Sequence, residues 1–247
     1  MENALLIGLS RQLSLAREAD VIANNVANVT TNGFKARSHS FEEYLAPMAR
    51  ADAFPRGAQE VSYVLDRGIG LNIAQGAIEM TGNPLDVAIR GEGFFVVRTP
   101  AGERYTRDRA FALNASGELV TGSGARVLGE NGPIAFSSQE SKIEVGADGT
   151  ITTSEVVRGR LRLVRFSNPQ AMTSEGDNLF GSSQPALALG KDGKVESGAI
   201  ERSNVRPVVE MTRLIEVSRA YQNVSSMIQR ADELRRTAIQ KLAEQPA

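Results

Sequence analysis

Near the carboxy terminus Leu214, Val217, Tyr221, Val224, Ile228, Ala231, Ala238 and Leu242 fall on one heptad seam, which Arg235 alone interrupts. A stripe of this kind defines a helix and requires another helix to cover it. The matching pattern lies at the opposite end of the chain. Between Leu5 and Val29 one seam takes Leu6, Leu9, Leu13, Ala16, Ala23 and Ala27, and a second takes Leu15, Ala19, Ile22, Val26 and Val29. The two seams make the apolar surface wide, so this helix expects neighbours on more than one side. Whatever lies between the two ends must let them meet.

The middle of the chain has a different grammar. Short β-prone runs at Asp86–Arg90, Gly93–Arg98, Lys142–Val145 and Arg160–Phe166 alternate with turn-forming residues. Asp148-Gly149 and Asp192-Gly193 are hairpin dipeptides, and Asn114–Gly117 and Thr121–Gly124 read as further turns. No long helical period interrupts them. Ala36–Ala77 reads as a connector, with a loop-like Met48–Gly57 and a strand over Val61–Leu65. The predicted fold is α+β, in which the terminal α-helices pair into a coiled-coil-like domain and an antiparallel β-rich domain is inserted between them. The predicted divisions are an amino-terminal helix over 1–35, a connector over 36–80, the β-rich domain over 81–195, a return connector over 196–206 and a carboxy-terminal helix over 207–247. Glu210 with Arg213, Glu216 with Arg219, and Asp232 with Arg236 are expected to pair along the flanks of the second helix.

The first helix ends on an unusual stretch, NNVANVTTNGFK, from Asn24 to Lys35. If the helix persists, Asn25, Asn28 and Asn32 line one stripe beside the Val26–Val29 seam. A buried amide in a helix interface trades stability for register, because it needs a specific partner. Gly33 is expected to supply a left-handed stop, and Phe34 to staple the exit onto the packed helices. Asn32, Gly33 and Phe34 thus form a candidate hinge.

Several kinds of chemistry lack their parts. With no cysteine, disulfides, thiolate metal sites and cysteine nucleophiles are excluded. His39 is the sole histidine, and no G-x-S-x-G elbow accompanies it. Gly91-Glu92-Gly93 lacks the third glycine and following helix of a dinucleotide fingerprint, and its glycines mark a turn entering a strand. A net charge of −1 and the scarcity of aromatics give no field or stacking platform for nucleic acid. The expectation is a non-enzyme with no cofactor, no metal and no small-molecule substrate. The early apolar run Ala4–Leu9 lacks the basic region and cleavage site of a secretory leader.

Five collinear stretches carry a family resemblance. NALLIGLSRQ (Asn3–Gln12), VIANNVANVTTNGFK, GNPLDVAIRGEGFFVV (Gly82–Val97), RYTRDRAFALNASGELVT (Arg104–Thr121) and SNVRPVVEMTRLIEVSRAYQ (Ser203–Gln222) resemble the flagellar rod and hook proteins. The start and the modest length are most similar to proximal-rod members, with distal-rod or hook subunits as the alternative. The resemblance implies a structural subunit of the basal-body rod, assembling helically into a hollow shaft that crosses the periplasm and transmits torque. It further implies partners in copies of itself, in other rod proteins above and below, and in the flagellar type III export apparatus. The β-rich domain would face outward, and export would use no cleaved leader. The candidate assembly residues are Leu6, Leu9, Leu13, Ile22, Asn25, Val26, Asn28, Leu214, Val217, Tyr221, Val224 and Ile228. A different class, an extracytoplasmic binding module working through the β-rich domain, is the competing expectation. Where the family often has asparagine this chain has Arg206, so the second helix is expected to start from Asn204 with Pro207 in its first turn. Arg109 similarly stands where the family often has glycine.

Overall fold

The computed structural model describes residues 2–47, 60–108, 110–137, 140, 142–154, 156–189 and 193–243. The loop expected over Met48–Gly57, the turn at Asp192 and the geometry at Arg109 lie outside the described residues. Helix α1 spans Glu2–Ala27 and helix α2 spans Pro207–Ala243. Between them run short strands, with a single 3-10 turn at Pro169–Ala171 among the described residues. The fold is α+β.

The chain divides into two compact units. A helical unit combines Met1–Val26, Arg37–Ile69 and Pro207–Ala247, and a β unit combines Ala27–Ala36 with Gly70–Arg206. A simple insertion would cross between units at two points. This chain crosses at 26/27, 36/37, 69/70 and 206/207. The stretch expected as a connector over 36–80 is therefore shared out. Its first part forms strand β1 (Arg37–Pro47), which pairs with strand β2 (Glu60–Leu71) in a two-stranded sheet. Its last part, with strand β3 (Ile78–Met80), belongs to the β unit, where β3 pairs with the return strand Ala199–Glu201.

α1 stops at Ala27, short of the expected boundary. The run Val29-Thr30-Thr31 is β-branched, and Thr31 takes the Asn28 carbonyl through its amide at 3.2 Å. Asn28 and Asn32 therefore lie beyond the helix, and the amide stripe predicted for a continuous helix is reduced to Asn25. α2 starts at Pro207, where the fixed φ and missing N–H of proline suit a first turn. Asn204 does not begin this helix. Its side chain accepts from the Ala36 amide at 2.7 Å and donates to the Asn72 and Ala74 carbonyls at 2.7 and 2.9 Å.

The β unit is organised by strand β5 (Phe94–Thr99). Strand β4 (Val87–Arg90) precedes it, and Gly91 and Gly93, both at positive φ, turn the chain between them. β5 pairs antiparallel with strand β6 (Gly102–Thr106), with strand Arg126–Gly129 and with strand Leu163–Arg165. Its run Phe-Phe-Val-Val is buried on both faces. Phe95 and Val97 join one apolar cluster with Phe111, Leu119, Val127 and Ile151, whereas Phe94 and Val96 join another with Leu71, Leu128, Phe166 and Phe180. A continuous apolar run is what a strand covered on both faces requires. Asn114–Gly117, Thr121–Gly124 and Asp148-Gly149 all turn as expected, with Gly117, Gly124 and Gly149 in the left-handed region.

Candidate functional site

The two helices share a small apolar cluster inside the helical unit. Leu15, Ile22 and Val217 are buried at its centre, with Ala19, Val26, Leu214, Ala220 and Val224 packed against them. A Cβ on Gly8 would stand 3.0 Å from Ile228 Cγ1, so glycine permits close approach there. Early α1 thus meets late α2, and Arg213 reaches Glu18 of α1 at 3.7 Å instead of its expected intrahelical partner Glu210. The Asp232–Arg236 pair forms along α2 as expected, at 2.9 Å.

The seam through Leu6, Leu9 and Leu13 lies elsewhere. These side chains are 55%, 50% and 56% exposed. At about 100° per residue they fall on the face of α1 opposite Leu15, Ile22 and Val26. α2 repeats the arrangement. Val208, Met211 and Ile215 are exposed on the face opposite Val217 and Val224. Tyr221 is partly exposed and lines an open groove with Leu15, Ala16, Ala19 and Val217. Each helix therefore carries one apolar face used within the unit and another left uncovered by it. The sequence offered both α1 seams as interface but could not say which one the chain itself covers.

Asn25 is buried, and its amide is fully engaged. Oδ1 accepts from the Arg37 amide at 2.8 Å, while Nδ2 donates to the Arg37 carbonyl at 2.8 Å and to Glu210 Oε2 at 3.2 Å. One side chain thus joins α1, the first residue of β1 and the first turn of α2. Asn28 accepts from the Thr31 hydroxyl at 3.1 Å in the turn that follows α1.

The expected hinge residues belong to the β unit, and they are held there. Gly33 has φ +67°, and a Cβ at this position would stand 2.6 Å from the Arg107 carbonyl oxygen. Its amide donates to the Glu201 carbonyl at 3.0 Å, and the Asn32 carbonyl accepts from Asn178 Nδ2 at 3.0 Å. Gly33 is six residues past the end of α1, so its left-handed backbone serves this close approach and not the helix stop. Phe34 packs with Ala36, Val205 and Val29, which replaces the staple onto the helices.

Sequence reasoning missed the group next to it. Lys35, Arg107 and Glu201 are only 2%, 4% and 1% exposed. Lys35 Nζ lies 2.7 Å from Glu201 Oε1 and donates to the Ala74 carbonyl at 2.8 Å. Arg107 approaches Glu201 Oε2 at 3.4 Å, donates to the Gly91 carbonyl at 2.8 Å and stands 5.2 Å from the Phe94 ring centroid. The Gly76 amide donates to Glu201 Oε1 at 2.9 Å. Burial alone would raise the Glu201 carboxyl. The Lys35 ammonium, the Arg107 guanidinium and the hydrogen bonds from Lys35 and Gly76 outweigh it and hold the group below the usual carboxylate range. Burial pulls Arg107 down from its ordinary value, against the attraction of Glu201. The signal in the sequence was local and partial: Lys35 and Glu201 follow apolar or small residues, as in Gly-Phe-Lys-Ala and Ala-Ile-Glu, whereas Arg107 lies between Thr106 and Asp108.

Among the described residues no group of His, Cys, Asp or Glu is placed to hold a metal ion, and no helix is long and apolar enough to cross a membrane. The arrangement offers surfaces and buried anchors.

Comparison with known proteins decides the family. The flagella basal body rod protein model matches residues 5–35, the flagellar hook protein FlgE/F/G D1 domain matches 88–153, and the flagellar basal body rod FlgEFG protein C-terminal model matches 196–241. The flagellar basal-body rod protein FlgF of Caulobacter vibrioides is 40% identical over 99% of both chains. The chain belongs to the flagellar basal-body rod protein family. FlgF of Mesorhizobium japonicum is 34% identical over 98% of both chains, and the rod protein FlgG of Bacillus subtilis is 32% identical over 95% of this chain and 97% of its own. This rod protein is thus most like the FlgF members, and it is a structural protein of the flagellar basal body.

Proposed function

We propose that the chain is a subunit of the proximal rod that polymerises helically, with copies of itself and with other rod proteins, into a hollow shaft in the periplasm. The observation that carries this reading is the pair of uncovered apolar stripes, Leu6–Leu9–Leu13 and Val208–Met211–Ile215, each backing a face already used within the helical unit. A helix apolar on opposite sides has its second side covered by another helix. In the shaft that helix comes from a neighbouring subunit, and the pairing is coiled-coil-like. One heterologous contact repeated from copy to copy builds a helix without closing a ring. Interdigitated side chains cannot slide without unpacking, which suits a shaft under torque. The flagellar type III export apparatus delivers the chain before it assembles.

Ile215→Asp tests this reading. The side chain is exposed, so the purified variant keeps the circular dichroism and melting behaviour of the parent. In cells it yields basal bodies without this subunit, seen by electron microscopy, and loss of motility. Normal rods containing the variant would remove the stripe from the assembly interface. Location of the tagged protein outside the axial shaft would overturn the reading as a whole.

A further inference from the structure

We propose that residues 28–36 form a releasable strap: a loop pinned at its base in the helical unit and plugged into the β unit by Phe34 and Lys35. Releasing it breaks no covalent bond and leaves the chain crossing between the folded units at two points instead of four, without unfolding either unit.

Three observations on its backbone and packing lead there. The strap is irregular backbone and takes part in no sheet ladder. Its backbone bonds outside itself go to a few groups of the β unit: the Gly33 amide to Glu201, the Ala36 amide to the Asn204 side chain, the Asn32 carbonyl to Asn178, the Phe34 carbonyl to the Asn204 amide, and the Ala36 carbonyl to the Asn72 amide. Its apolar anchor, Phe34 with Ala36 and Val205, is a small cluster separate from the two large ones around β5. Removing it therefore leaves the main core of the β unit intact.

The charges point the same way. Glu201 serves Lys35 from the strap and Arg107 from the β unit proper. When the strap leaves, the carboxylate keeps one cation and the Gly76 amide, so no lone buried charge remains behind. Lys35 meanwhile moves to water, where an ammonium is well solvated. Plugged, the strap is held by a charge-assisted bond; unplugged, it leaves the Glu201 carboxylate still paired with Arg107.

The base makes the loop autonomous. Asn25 holds both the amide and the carbonyl of Arg37, which closes the chain across residues 26–36. Both residues belong to the helical unit. The strap therefore opens as a compact loop with joined ends, and its departure does not pull α1 or β1 apart. Such local openings lie below the free energy of global unfolding.

Native-state hydrogen exchange of the full-length wild-type protein, followed by NMR in sub-denaturing urea, tests this. The Gly33 and Ala36 amides should open by an event that depends little on urea, at least about tenfold more often than those of Val97 and Val127. Lys35→Met should speed the strap amides by a further factor of about ten or more and leave Val97 and Val127 unchanged. A single urea dependence shared by strap and core in the wild type would overturn the proposal. So would acceleration of core and strap in step in Lys35→Met, or no change at the strap.

Discussion

The helical unit and the β unit solve the same problem to different degrees. β5 is apolar on both faces, and each face is covered by its own cluster within the β unit. α1 and α2 are also apolar on both faces, yet each covers only one within its unit. The β unit is finished as a folded object, whereas the helical unit is finished only on the side where its helices meet. Under the proposed assembly, the exposed apolar faces that repeat on both helices are the surfaces that neighbouring subunits cover.

That contrast can be broken first in the β unit. Phe95→Ala should lower stability by about 3–5 kcal/mol, measured by chemical denaturation, since Phe95 is buried in one cluster with its ring edge-on to Phe111. A loss near zero would mean that the β unit is not the stable part. Asn25→Leu comes next, at about 1–3 kcal/mol, because the Arg37 amide and carbonyl and Glu210 all lose a partner. Its melting transition should drop while helix content stays. Rods of normal order from that variant would show that the amide does not set register.

Acid gives a smaller and graded effect. The folded-state value of Glu201 lies below its unfolded one, so its contribution is fully present above the usual carboxylate range. It is lost as the pH falls through the folded value. Denaturation followed against pH should therefore show a steeper acid-side loss in the parent than in Glu201→Gln. The smallest effect belongs to Leu9→Asp, within about 0.5 kcal/mol of the parent, because the side chain is half exposed in the single chain. A large loss there would sharpen the comparison in the other direction, by showing that the outer stripe is already covered in the monomer.

Much of this architecture is written in local pattern. The seams of α1 and α2, the buried run of β5 and the turns at Asn114–Gly117, Thr121–Gly124 and Asp148-Gly149 all depend on residues close in sequence. What stayed hidden depends on partners far away. Lys35 and Glu201 are separated by 166 residues, and nothing near either one announces the other. The end of α1 was misplaced because Val29 still fits the helical seam, while its β-branched run and the Asn28 carbonyl favour a turn. The β1–β2 sheet was missed for a similar reason, since only a short strand over Val61–Leu65 showed β character within a stretch otherwise read as connector.

The four crossings between units also bear on how such a protein can be altered by recombination. A β unit held as one contiguous insertion could be exchanged between relatives by a single replaced gene segment. Here residues 27–36 are encoded apart from 70–206, so replacing the segment for 70–206 alone would set the strap of one parent against the socket of the other. A productive chimera needs both pieces from the same source. The strap and its socket form one heritable module written in two places.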